Sequence, residues 1–162
     1  MYVIEEFSLR DAKELKKISI KTFYDTFKAV TKKENLKGYL NKQFSSEQLI
    51  SEIKNYNSKF YIVRNYNEVV AYMKLNISEN SIEIQRLYVI EEYKNKNIGK
   101  KLLEEAIQVA KISIRSFIWL GVWEQNMNAI RFYERQGFIK YSTSIFKLVE
   151  DEYVLNLMKL TV

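Results

Sequence analysis

The sequence predicts an α/β fold of the α+β kind, a mixed sheet with helices on both faces, and three observations carry that expectation. Apolar runs rich in β-branched residues stand before, between and after stretches whose apolar residues recur at helical spacing. At residues 82–104 the two periods meet. Ile82, Ile84, Leu87, Val89 and Ile90 read as a strand, and Leu102, Leu103, Ala106, Ile107 and Ala110 as one face of a helix. The run 116–123 is almost continuously apolar, as expected of a strand buried on both faces. No repeat, low-complexity tract or linker interrupts the 162 residues, which suffice for a core without covalent staples. Residues 1–162 therefore read as one domain.

Taken in order, residues 2–7 form a first strand by alternation and β-propensity. Ser8 is placed to cap a helix running through Leu15, Ile18, Ile20 and Phe23, with Asp11 in its first turn. A second helical stretch carries Leu36, Tyr39 and Leu40. A third, opened by Ser45 or Ser46, turns Leu49, Ile50 and Ile53 to one side. Residues 60–63 and 69–75 read as strands joined across Asn65-Tyr66-Asn67 in a hairpin-like turn. After the central strand and helix and the run 116–123, Asn126 or Asn128 can cap a helix containing Ala129, Ile130, Phe132 and Tyr133. That helix ends at Gln136, with Gly137 where a C′ glycine belongs. Residues 138–148 and 153–159 make two last strands, joined through Glu150-Asp151-Glu152.

Composition narrows the chemistry. With no cysteine there are no disulfides, thiolate nucleophiles or cysteine metal sites. With no histidine the usual general base, the usual metal ligand and any Ser-His-Asp arrangement are gone as well. Catalysis here would run on carboxylates, tyrosine, lysine or backbone groups. The net charge is +6, but lysine is spread along the chain with acids interleaved. That reads as a solvated surface first, a site for anionic cofactor phosphates second and a nucleic-acid surface last. The start of the chain shows no basic leader followed by an apolar run, and no stretch reaches the roughly 20 apolar residues a bilayer span needs. A cytoplasmic protein, with no membrane partner, is expected.

Between the central strand and its helix lies Lys94-Asn95-Lys96-Asn97-Ile98-Gly99-Lys100. A polar loop at a helix N-terminus presents unpaired N–H groups beside the positive end of the helix dipole, which suits a phosphate or pyrophosphate. Gly99 leaves room for close approach, Asn95 and Asn97 tolerate left-handed backbone, and Lys94, Lys96, Lys100 and Lys101 add charge. The segment is neither a Walker loop nor a dinucleotide fingerprint, for the required glycines are missing. It resembles the acetyl-coenzyme A loop of the GNAT-type N-acetyltransferases, Gln/Arg-x-x-Gly-x-Gly/Ala, with Lys94 in place of Gln or Arg and Asn97 in place of the first glycine.

The stretch from Asn126 to Phe138 is similar to a second GNAT segment, Asn-x-x-Ala-x-x-Phe/Leu-Tyr-x-x-x-Gly-Phe, at every one of those positions. The resemblance implies a mixed, mostly antiparallel sheet of about six to seven strands and acetyl-coenzyme A as donor. It implies that residues 94–100 hold the pyrophosphate, that Leu87, Tyr88 and Val89 lend backbone groups to the pantetheine and the thioester oxygen, and that Asn126 bonds the pantetheine arm. It also implies that Tyr133 donates a proton to the departing thiolate, a task that a phenol of pKa about 10 fits. For the base, Glu83 matches one position at which GNAT enzymes carry a glutamate and Gln85 another. The segments at 22–27, 46–49 and 118–124 look like the PaiA-type spermine and spermidine acetyltransferases. Tyr24, Asp25, Trp123 and Glu124 are then the candidates for holding a polyamine's ammonium groups on carboxylates and aromatic faces. The expected activity is acetyl transfer to a primary amine of a small polyamine. The alternatives are a GNAT enzyme acting on a protein amine or an amino-sugar antibiotic, a family member that binds cofactor without catalysis, and a basic regulatory protein. Oligomeric state is left open, a homodimer included.

Overall fold

The computed structural model describes residues 1–162. Its elements are β1 (Tyr2–Glu6), α1 (Ala12–Phe27), α2 (Lys33–Gln43), α3 (Ser46–Lys54), β2 (Ser58–Asn65), β3 (Glu68–Ile77), β4 (Ser81–Val89), α4 (Ile98–Ile112), β5 (Phe117–Trp123), α5 (Met127–Arg135), β6 (Ile139–Leu148) and β7 (Asp151–Thr161). The strands form one seven-stranded sheet in the order β1-β2-β3-β4-β5-β7-β6. All neighbours are antiparallel except β4 and β5, so the chain forms the mixed, mostly antiparallel sheet its sequence predicts. Its two faces carry two cores. One of 20 buried residues packs under α4 and α5, and one of 14 packs under α1, α2 and α3. No helix is long and apolar enough to cross a membrane.

β4 and β5 are joined at one end only. Their parallel pairing links Ser81, Ile82 and Glu83 to Phe117, Ile118 and Trp119 and stops there. On its other edge β4 pairs Ile84 with Leu75 and Arg86 with Lys74, which leaves Gln85 as an extra residue, a β-bulge. The bulge resets the alternation of side chains. Before it Ile82 and Ile84 enter the α4-side core; after it Leu87 and Val89 pack on that core and Tyr88 on the other. Past Glu83 the strands part, and the edge of β4 that would face β5 has no strand partner.

Glu52 of α3 holds this bend. Lys74 and Arg86 are directly opposed like charges, which by themselves would push β3 and β4 apart. The Glu52 carboxylate lies between them, accepting from both Nη atoms of Arg86 at 2.7 and 3.1 Å with Lys74 Nζ 3.3 Å away. The Phe44 ring covers the guanidinium at 4.9 Å.

Several local expectations are corrected. Ser8 opens a short 3-10 turn, Leu9–Asp11, and α1 begins only at Ala12. The reason is Asp11, whose carboxylate accepts from the Ser8 N–H and Oγ and from Arg64 Nη2 (2.8 Å). β5 is not buried on both faces. Ile118, Leu120 and Val122 are buried, but Phe117, Trp119 and Trp123 are half-buried and Gly121 is exposed, because the second face is only partly covered by helices. The last hairpin turns at Val149 and Glu150 rather than at 150–152, with Val149 in left-handed backbone at φ 59°.

Candidate active site

The polar loop after β4 makes a short 3-10 turn, Glu91–Tyr93, and then enters α4 through two left-handed asparagines, Asn95 at φ 62° and Asn97 at φ 61°. Asparagine adopts this backbone more readily than other non-glycine residues, so the loop needs no glycine at 97. The consequence lies in the N–H groups. From Asn95 to Lys100 none of the backbone N–H groups has an acceptor within the protein, and the Asn97 side chain does not cap the helix. A row of N–H donors at the positive end of a four-turn helix is a seat for a pyrophosphate. Lys94, Lys100 and, one turn apart on α5, Arg131 and Arg135 line the same cleft of about 800 Å³.

Gly99 keeps that cleft open. A Cβ there would stand 3.5 Å from Phe132 and 3.9 Å from Leu87, both of which line the cleft, and would narrow it between them. Farther in, the cleft is walled by Leu87, Tyr88 and Val89 of β4 on one side and by Trp123, Asn126 and Tyr133 on the other. This is the gap left where β4 and β5 part. The residues fit coenzyme A: N–H donors and cations at one end, and a slot beside an unpaired strand edge at the other.

Tyr133 is 8 % exposed, wedged between Phe132 and Phe138 with ring centroids at 5.1 and 5.6 Å. Its hydroxyl makes no hydrogen bond within the protein although the residue lines the cleft. Burial pushes its phenol above the ordinary tyrosine value, and it does the same to Tyr88. The Tyr133 phenol thus stays protonated. Asn126 caps α5, its Oδ1 accepting from the Ala129 N–H at 3.3 Å. Asn126 rather than Asn128 plays this part, and only its Nδ2 remains to donate into the cleft.

The structure brings together most of the residues singled out in sequence. Leu87, Tyr88, Val89, Lys94, Asn95, Asn97, Ile98, Gly99, Lys100, Asn126, Tyr133, Asp25 and Trp123 line one cleft. Lys96 does not; its ammonium lies over the Tyr93 ring at 5.5 Å and faces a separate hollow. Tyr24 is exposed and outside the cleft, because the face of α1 that meets it carries Thr22, Asp25 and Thr26, and Glu124, just past the end of β5, is exposed and outside it as well. Glu83 and Gln85 also lie outside, sharing the Asn76 side-chain N–H₂, which donates to them at 2.9 and 3.1 Å. Thr22, Glu91, Arg131 and Arg135 were missed. The i, i+4 arginines within the second motif were the one available signal.

The family model described as "Acetyltransferase (GNAT) family" matches residues 14–138. Among curated relatives, an uncharacterized N-acetyltransferase in the pepI 3′ region of Lactobacillus delbrueckii subsp. lactis is 33% identical, covering 96% of this chain and 95% of its own. A spermidine N(1)-acetyltransferase of Thermoplasma acidophilum is 28% identical over 83% of this chain and 86% of its own. Among solved structures, the PaiA N-acetyltransferase of Thermoplasma acidophilum in complex with coenzyme A superposes with a TM-score of 0.87 at 25% identity, covering 100% of this chain and 99% of that one.

Proposed function

The chain belongs to the GNAT family of acetyltransferases and is an acetyl-coenzyme A-dependent N-acetyltransferase, and from that premise we propose that it acetylates a primary amine of a small polyamine such as spermidine or spermine. The observation that carries the reading is the division of charge along the cleft. Lys100, Arg131, Arg135, the free N–H row and Lys94, the last paired with the Glu91 carboxylate, gather at the α4–α5 end and leave it net positive. The α1 end presents the carboxylate of Asp25, the hydroxyls of Thr22 and Thr26 and the faces of Tyr88 and Trp123. An anionic donor and a cationic acceptor would be drawn to opposite ends. The Asp25 carboxylate already holds an ammonium in this structure, that of Lys28 at 3.2 Å. The spermidine enzyme among the relatives points to the same acceptor.

Bound in this cleft, acetyl-coenzyme A supplies an activated acetyl thioester and leaves a thiolate that must be protonated. The unpaired edge of β4 at Leu87–Val89 offers backbone groups that fix the arm and can polarise the acyl oxygen. Asn126 Nδ2 donates from the facing side, and Tyr133 supplies the proton to sulfur. Glu83 lies roughly 13 Å along β4 from Leu87 at a strand's rise per residue, too far to take a proton directly from an amine attacking there. The whole of residues 1–162 works as one domain in this reading, with α1 supplying the acceptor end.

Thiol release from acetyl-coenzyme A, measured with spermidine, spermine and a panel of other amines beside a titration of coenzyme A, tests the proposal. Release with polyamines is expected. Release only with an amino sugar or a peptide amine would keep the enzyme and discard this acceptor.

A further inference from the structure

β5 carries a second feature that the transfer reaction leaves unused. Its residues Ile118, Leu120 and Val122 are buried in the α4-side core, so Trp119, Gly121 and Trp123 share the opposite face. Trp123 lines the cleft. Two steps back along this face is Trp119, registered against Glu83 at the point where β4 and β5 stop pairing. Between the indoles Gly121 has no side chain, and from β7 the tips of Leu155 and Leu157 lean to within 3.1 and 3.5 Å of where its Cβ would be. The face is therefore a half-exposed apolar floor with a tryptophan at each end.

The charges on this floor are specific. Glu83 accepts a hydrogen bond from Asn76 and has no ion pair with any lysine or arginine of the chain. The nearby cations have other partners, although Lys74 is close enough for its charge to act on Glu83 without an ion pair. Lys74 and Arg86 both hold Glu52, and Lys159, registered against Trp119, has its ammonium over the rings of Phe117 and Tyr141 at 5.9 and 5.2 Å. At the cleft end Asp25 provides the other carboxylate. Four residue steps along the strand separate the two indoles, about 13 Å at 3.3 Å per residue. That span suits an extended triamine or tetramine and exceeds a short diamine.

We propose that Glu83 and Trp119 form a distal subsite holding the far ammonium group of a linear polyamine whose near amine is acetylated in the cleft, with Leu155 and Leu157 packing on its methylenes. The inference rests on the polyamine reading and deepens it. It makes Glu83 a determinant of substrate length, bound to the nitrogen that does not react. Cation–π contact with the indole and the carboxylate's charge act together on one ammonium.

The test is a length series, 1,3-diaminopropane, spermidine and spermine, with kcat/KM measured for wild type, Trp119→Leu, Trp119→Phe and Glu83→Gln. Coenzyme A titration and melting curves accompany each variant. Wild type is expected to favour spermine over diaminopropane. In Glu83→Gln and Trp119→Leu that ratio should fall by about tenfold through KM for the long acceptors, while Trp119→Phe, which keeps an aromatic face, retains most of it. A parallel loss on all acceptors in Glu83→Gln would overturn the subsite and make that carboxylate the base or its relay. No length preference in wild type would overturn it too. If no polyamine is turned over while another amine is, the polyamine reading itself fails, and the subsite with it.

Discussion

Tyr133→Phe should slow the enzyme and leave its fold intact. The substitution removes one oxygen from a side chain that is 8 % exposed and otherwise packed between two phenylalanines. That oxygen has no hydrogen-bond partner in the protein. The hydroxyl is not fully buried: it reaches the solvent of the cleft and carries little desolvation penalty. The Phe variant should therefore stay within about 1 kcal/mol of wild type, or roughly 2–4 °C in Tm for a chain of this size. The rate does not stay. Loss of a positioned general acid typically costs about 10²–10⁴-fold, equivalent to roughly 3–5 kcal/mol of barrier. Coenzyme A affinity should stay within about twofold, since binding is carried by the loop and the strand edge. The wild-type phenol, raised by burial, remains protonated through neutral pH and beyond its ordinary value near 10. Its titration therefore adds no alkaline fall in kcat below about pH 10. The assays are thiol release under saturating donor, titration of coenzyme A, and thermal melting of the free protein. A variant with normal turnover would show that another group protonates sulfur. A Tm lowered by more than that range would mean that the hydroxyl has a structural partner.

Glu52→Gln leaves Lys74 and Arg86 facing each other in a nearly dry site and should destabilise by about 3 kcal/mol or more; adding Lys74→Met should recover at least a third of that, and a loss under 1 kcal/mol in denaturant melts would sink the clamp. The same group sets an acid limit. Burial alone would raise the Glu52 carboxyl, but the hydrogen bonds and charge of Arg86, aided by Lys74, hold it below its ordinary value of 4.5. Its stabilisation is therefore full above the unfolded-state value and disappears as pH falls through the lower folded one, so the Tm of wild type should drop below about pH 4.5 more steeply than that of Glu52→Gln. Gly99→Val puts two methyls between Phe132 and Leu87 and should weaken coenzyme A binding by at least about tenfold with a modest change in Tm; titration calorimetry decides it.

What could be read from the sequence was local. The donor loop announces itself because asparagine, glycine and lysine have backbone and charge properties that act at the position where they stand. The helix 127–135 does so because its cap, its apolar face and its terminal glycine are close neighbours. The bulge at Gln85 was not legible. Alternation across 82–90 looks the same with or without an inserted residue, and what enforces the bend is Glu52, more than thirty residues away and on a helix. The placing of Tyr24 failed for a related reason. Helical spacing shows which residues of α1 share a face, but Phe23 and Phe27 claim the core only once the aromatic rings of Tyr39, Phe146 and Trp123 are in position. That leaves Asp25 toward the cleft and turns Tyr24 out. Tryptophan gave the third ambiguity, because Trp119 and Trp123 raise the apolarity of β5 equally whether they are buried or form an open floor.

The three-rung joint between β4 and β5 has a bearing on how long the protein survives. Two ladders, β1 to β4 and β5 to β7, share few rungs, and in the proposed reading the donor fills the place where more would be. A bound coenzyme A supplies cross-links that the polypeptide lacks, and the folded state is favoured in proportion to how far its concentration exceeds its dissociation constant. Proteases act on the opened chain. Resistance to digestion should therefore follow the supply of acyl donor, so that protein lacking donor is cleared before protein that holds it.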